Sequence, residues 1–339
     1  MDRALKTLFF NNIFPVLLLS AVTTVSLAQE RVVRMIPSGR NAERVVSEEG
    51  LRADVEFLAG PELNGRKTGS RGANEAAFWI ARRFEADGLL PIGGQWGRSF
   101  RNGSKVGHNI IGLLPGQRNS ETERYTIVAA HLDNLGLIDG VLYPGADSNA
   151  SGVVAMLTVA DMFKKMKDLG RSYRRNILFV ALDAKEPESR GAVQLWQAIQ
   201  TGSLRDPLNG QAITPDKIHS MVNLDILGST LSPLHPGRKD YRMMLSGGHF
   251  VGAMLDANAG KGLSLDLAFN YYGSENFTRL FFYRIGDHRI FLENGIPSVL
   301  MTSGITLKTN KTEDTAESLD YGVFRKRIIL IFHWLGKML

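Results

Sequence analysis

Tyr125-Thr126-Ile127-Val128-Ala129-Ala130-His131-Leu132-Asp133 is a short apolar run that ends abruptly in a histidine and a carboxylate. Its length and β-branched centre predict a buried parallel strand over residues 125–130, with the polar pair just past its end. Four other segments have the same character: His108–Leu114, Asn176–Leu182, Met221–Leu224 and Ser298–Met301. Helical spacing fills the intervals. Between Gly72 and Asp87 the residues Ala73, Ala76, Ala77, Ile80 and Phe84 recur on one face, and Gly88 is placed to stop the helix. Further helices are predicted over 150–167 and 321–339. This alternation predicts an α/β fold: a single domain with a mainly parallel twisted central sheet and helices on both faces. Residues 201–216, rich in Gly, Pro, Asn and Asp, read as an excursion loop rather than a boundary.

The N-terminus has its own pattern. Arg3 and Lys6 precede an apolar run from Phe14 to Ala28, which closes on Ser26-Leu27-Ala28 before Gln29. That order predicts a cleavable secretory signal over residues 1–28. Ser20, Thr23, Thr24 and Ser26 interrupt the run, and it falls short of the about 20 apolar residues of a membrane span. The expectation is an exported protein, periplasmic or secreted, with a leader over 29–48, one domain over 49–339, and no membrane span after signal removal. The chain of 339 residues contains no cysteine, which excludes disulfides, thiolate metal ligands and a cysteine nucleophile. Its formal net charge of +6 is spread out. With no aromatic-interleaved basic stripe, nucleic-acid binding is not expected.

Chemistry concentrates after three strands. His131 and Asp133 follow the first, Asp183, Lys185 and Glu186 follow Asn176–Leu182, and Asp225 follows Met221–Leu224. Open α/β sheets bind ligands at this edge. Singly, such residues cap helices or satisfy hydrogen bonds; together, imidazole and carboxylates converging from separate strands match the ligand types of a zinc hydrolase. The stretch Pro144-Gly145-Ala146-Asp147-Ser148-Asn149-Ala150-Ser151-Gly152 lies between them and opens a helix. No Gly-x-Ser-x-Gly elbow surrounds Ser151, so it does not read as a nucleophile.

Ala130 to Asp133, Pro144 to Gly152, Phe179 to Leu182 with Glu186, and Asn223-Leu224-Asp225 resemble metallopeptidase family twenty-eight, the aminopeptidase Y and bacterial leucyl aminopeptidase group. Leu58 to Ser70, Gly295-Ile296-Pro297 and Asp314-Thr315 are similar to flanking parts of that family. The resemblance implies a peptide N-terminal hydrolase with two zinc ions that activate a bridging water. It maps retained ligands onto His131, Glu186 and Asp225, and onto Asp133 the carboxylate that orients the histidine ring. Three positions depart. Ser148 stands where the resemblance implies a bridging Asp, Asn310 where it implies the second-site His, and Lys185 where it implies the general-base Glu.

An ammonium beside a dication is the opposite of a proton acceptor. The expectation is therefore an impaired or non-hydrolytic relative that keeps a cleft for a peptide or partner protein, with Lys185 supplying part of the missing metal charge. At most one weakly held zinc, or none, is expected. The alternative is an active aminopeptidase with a reduced one-metal site, Asp147 or Glu186 completing His131 and Asp225. Asp287-His288 resembles a family Asp-His pair on the substrate side, where a structural role is equally open.

Overall fold

The computed structural model describes residues 42–117, 123–185, 188–230, 241–246, 250–270 and 274–339. The expected signal over 1–28, the start of the leader, and Glu186 lie outside these residues. Strands β1 (Leu90–Pro91), β2 (Gly97–Asn102), β3 (Lys105–Leu114), β4 (Tyr125–His131), β5 (Gly136–Ile138), β6 (Val141–Tyr143), β7 (Asn176–Leu182), β8 (Ile218–Leu224), β9 (Tyr241–Ser246), β10 (Asp266–Ala268) and β11 (Ser298–Thr302) alternate with helices. The helices are α1 (Glu48–Ala59), α2 (Arg71–Ala86), α3 (Ser151–Asp168), α4 (Arg190–Gln200), α5 (Val251–Lys261), α6 (Glu275–Leu280), α7 (Arg289–Glu293) and α8 (Tyr321–Met338).

The main sheet runs β1-β3-β7-β4-β8-β11-β9-β10, with β2 added on β3. Its centre, β7-β4-β8-β11, is parallel throughout. The expected parallel strand over 108–114 is instead antiparallel to β7 and extends back to Lys105. The cause is a hairpin: Asn102 pairs with Lys105 across Gly103-Ser104, with Gly103 at φ 61°. Such a two-residue loop brings β2 and β3 together and reverses the chain. A second hairpin, β5-β6, turns through Asp139 and Gly140 at φ 52° and 77°, the left-handed pair of a type I′ turn.

Alternation along the central strands divides the core. On β4, Val128 and Ala130 join the cluster under α1, α2, α3, α5 and α8, while Tyr125, Ile127 and Ala129 join the one under α4 and α7. β7 splits likewise into Ile177, Phe179 and Ala181 against Leu178, Val180 and Leu182. Helices thus cover both sheet faces, and the C-terminal edge of the parallel block is left for loops. Gly152 docks α3 on that edge, because a Cβ there would strike the Asn149 side chain and the Leu224 carbonyl. Among the described residues no helix is long and apolar enough to cross a membrane.

Candidate functional site

The loops after β4, β7, β8 and β11 close around one pocket lined by His131, Ser148, Lys185, Asp225 and Asn310, together with the apolar Leu135, Phe281, Ile285 and Ile305. Three residues in or beside it have left-handed backbones without being glycine, among them Asn310 at φ 59°. Ala184, just before Lys185, has φ 58°, and Ile226, just after Asp225, also has φ 58°. Such strain concentrates where side chains must be aimed.

Asp225 sits opposite His131, with Oδ1 3.4 Å from Nε2. The other ring nitrogen, Nδ1, lies 3.0 Å from the Asp133 main-chain carbonyl and 3.8 Å from its carboxylate. The carbonyl therefore orients the ring. The Asp133 carboxylate accepts from the Lys185 backbone N–H at 3.1 and 3.0 Å and faces the Thr68 hydroxyl at 3.3 Å. Burial pushes the Asp133 carboxyl up to about 7, against the pull of His131. Burial alone would lower His131, but the Asp225 carboxylate outweighs it and holds the imidazole above its ordinary value.

Lys185 lies on the far side of Asp225 and supplies an ammonium. Its ammonium lies 3.4 Å from Asp287 Oδ2 and 4.0 Å from Asp225 Oδ2. Burial would depress it, yet Asp287 and then Asp225 raise it, so the group stays charged. Burial works against ionisation of Asp225 too, but His131 and Lys185 reverse it and hold that carboxyl below the usual range. Asp287 is fully buried, and among the described residues neither of its oxygens meets a hydrogen-bond donor other than the nearby Lys185 ammonium, so the ion pair is its compensation. Sequence reasoning left Asp287 undecided, and the Asp287-His288 pair was the only signal that pointed to it. Burial and the nearby Lys185 push His288 down to about 4, and its Nε2 lies 2.8 Å from the Phe282 carbonyl.

Two of the three departures touch each other. Ser148 Oγ donates to Asn310 Oδ1 at 3.3 Å, so the neutral replacements at two expected ligand positions pair with each other. The Asp147 carboxylate turns elsewhere: Oδ1 accepts from Gly228 N at 2.7 Å and Ser151 Oγ at 2.9 Å, and Oδ2 from Ser229 N at 3.0 Å. Those bonds commit it to the loop after β8 and remove it as a substitute ligand for His131 and Asp225. Asp314 accepts from the backbone N–H groups of Asp147 and Ser148 at 2.7 and 3.1 Å. Arg66, buried, ties the region together by donating to the carbonyls of Leu58, Leu132, Pro144 and Gly145.

A catalytic zinc takes three protein ligands at about 2.0–2.2 Å for nitrogen and oxygen donors. Among the described residues no three His, Asp or Glu side chains converge so as to hold a metal. His131 and Asp225 make half of one site, and an ammonium occupies the space beside it. The described residues therefore do not fit a two-zinc centre.

The other described histidines have partners of their own. His108 Nδ1 lies 2.9 Å from Ser99 Oγ, and His333 Nε2 lies 2.6 Å from Glu43; His235 and His249 fall outside the described residues. His219, on β8, is pushed down to about 4 by burial and then by Arg175 and Arg124. A depressed histidine leaves the unfolded chain binding the extra proton between about 6.5 and about 4, so its share of stability is lost as pH falls through that window. His219→Gln is therefore expected to lose less stability than the parent over this interval. Denaturant titrations of both proteins at the two ends of the window measure the difference.

The chain belongs to peptidase family M28, whose family model matches residues 109–335. Among solved structures, LapB from Legionella pneumophila superposes with a TM-score of 0.67 at 14% identity, over 88% of this chain and 74% of that one. BSAP, a zinc aminopeptidase from Bacillus subtilis, superposes with a TM-score of 0.63 at 12% identity, over 86% and 95%. The glutaminyl cyclase of Macrostomum lignano gives 0.62 at 15% identity, over 88% and 92%. At these identities the likeness shows the fold, and the chemistry rests on the side chains.

Proposed function

We propose that this chain is an exported, non-hydrolytic member of peptidase family M28 whose cleft binds a peptide or a partner protein. The carrying observation is Lys185, whose ammonium lies 3.4 Å from Asp287 and 4.0 Å from Asp225. It replaces metal charge with internal charge, and a cation held between two carboxylates is no general base. Export rests on the N-terminal signal pattern. The peptide reading is supported by the family, M28 peptidases, and by the likeness to a zinc aminopeptidase. The surviving His131–Asp225 pair favours a second reading, an aminopeptidase with one weakly held zinc completed by Glu186. Incubation with aminoacyl chromogenic substrates, with and without added zinc, separates the two. No turnover in either arm is the expected result, and zinc-dependent, chelator-sensitive turnover would establish the enzyme.

A further inference from the structure

Large apolar side chains left in water recur on or next to the segments that supply residues to the pocket. The β5-β6 hairpin, which follows the pocket residue Leu135, exposes Leu137, Ile138 and Val141. Helix α6 buries none of its six residues, and its continuation 281–285 carries the pocket residues Phe281 and Ile285. Along this stretch Leu280 and Tyr283 are exposed, Tyr283 at 52%. On the loop after β11, which supplies Ile305 and Asn310 to the pocket, Leu307 stands out at 73% exposure.

Cations are interleaved with these side chains. Arg279 and Arg284 alternate with the apolar residues of 276–285, a stretch without a carboxylate, and Lys308 and Lys311 flank Leu307 and Asn310; all four are exposed. Carboxylates are fewer on these segments: Glu275 opens α6, Asp139 sits in the hairpin turn, and Glu313 is held low by Thr312 and, less strongly, by the charges of Lys311 and Lys308. We propose that the mouth of the cleft docks on an anionic lipid bilayer, with Leu280, Tyr283 and Leu307 entering the headgroup region and Arg279, Arg284, Lys308 and Lys311 meeting the lipid charge.

Protruding apolar tips among basic residues are the pattern of interfacial binding. A protein hot spot places its anchors in packed pockets instead. Pairing with a second copy through a two-fold axis would set this basic patch against itself. Docked in this way, the pocket opens onto the membrane surface, so its ligand arrives from the bilayer. This inference stands apart from whether the pocket hydrolyses what it binds.

Flotation of the full chain with phosphatidylcholine vesicles, with and without phosphatidylglycerol, tests it. The N-terminal apolar run is then common to every variant, and differences between variants report the mouth. Association is expected with the anionic vesicles and should weaken with salt. At roughly fivefold per charge near the surface, Lys308→Gln with Lys311→Gln should weaken it about 25-fold. Tyr283→Ser with Leu307→Ser should also release the protein. Phe78→Ser, a residue 69% exposed on α2 and absent from the pocket lining, should change nothing. Thermal unfolding of each variant, unchanged from the parent, verifies folding. No association with anionic vesicles, equal association of all variants, or self-association without lipid that the mouth variants abolish would each overturn the proposal.

Discussion

Lys185→Met is expected to lower the unfolding free energy by about 3–5 kcal/mol, the usual cost of removing one member of a buried ion pair. Methionine fills a similar volume, so the loss would be electrostatic rather than a packing defect. Among the described residues, buried Asp287 has no hydrogen-bond donor besides the Lys185 ammonium, and Asp225 Oδ1 has none in hydrogen-bonding geometry. Both depend on Lys185, Asp225 facing His131 as well. Asp287→Asn in the Lys185→Met background should recover a large part of the loss, because it removes the carboxylate left without a counter-charge. A double-mutant cycle by denaturant unfolding gives the coupling between the two positions. Additive effects would show that Lys185 and Asp287 are independent, and the charge-replacement account would fail.

This pair marks where sequence reasoning ran out. His131, Lys185 and Asp225 were legible because each sits just past a short apolar strand, and parallel strands deliver such ends to one edge. The parallel block and the helices on both faces followed from the same pattern. Asp287 was not legible as Lys185's partner, since it comes from the turn between α6 and α7, and no periodicity ties that turn to β7. Nor does any local rule join Ser148 to Asn310. Asp147 illustrates the opposite difficulty: its spacing beside Ser148 suggested a substitute ligand, whereas hydrogen bonds from Gly228, Ser229 and Ser151 claim its oxygens. Strand β3 was found but misdirected, because the Gly103 turn sends it back along β2.

Restoring the three departed positions together, Ser148→Asp, Lys185→Glu and Asn310→His, is expected to create tight zinc binding that the parent chain is expected to lack. The argument rests on the backbone. Ser148 and Asn310 already approach to 3.3 Å through their side chains, so the exchanged groups begin on the same side of the pocket. His131 and Asp225 already face each other at 3.4 Å. Without metal the variant should be less stable than the parent, because it adds carboxylates beside Asp225 while removing the Lys185 cation. With zinc the order should reverse: a ligand at a hundredfold excess over its Kd stabilises by about 2.7 kcal/mol, and at a thousandfold by about 4.1 kcal/mol. Lys185→Glu alone should not gain this, since Ser148 and Asn310 would still contribute neutral oxygens and no second imidazole. Zinc analysis after gel filtration, paired with unfolding curves in zinc and in chelator, measures both effects. Tight zinc in the parent chain would mean that its retained ligands already suffice. A variant that folds yet stays metal-free would mean that the loops have moved away from metal-binding geometry as well as lost its side chains.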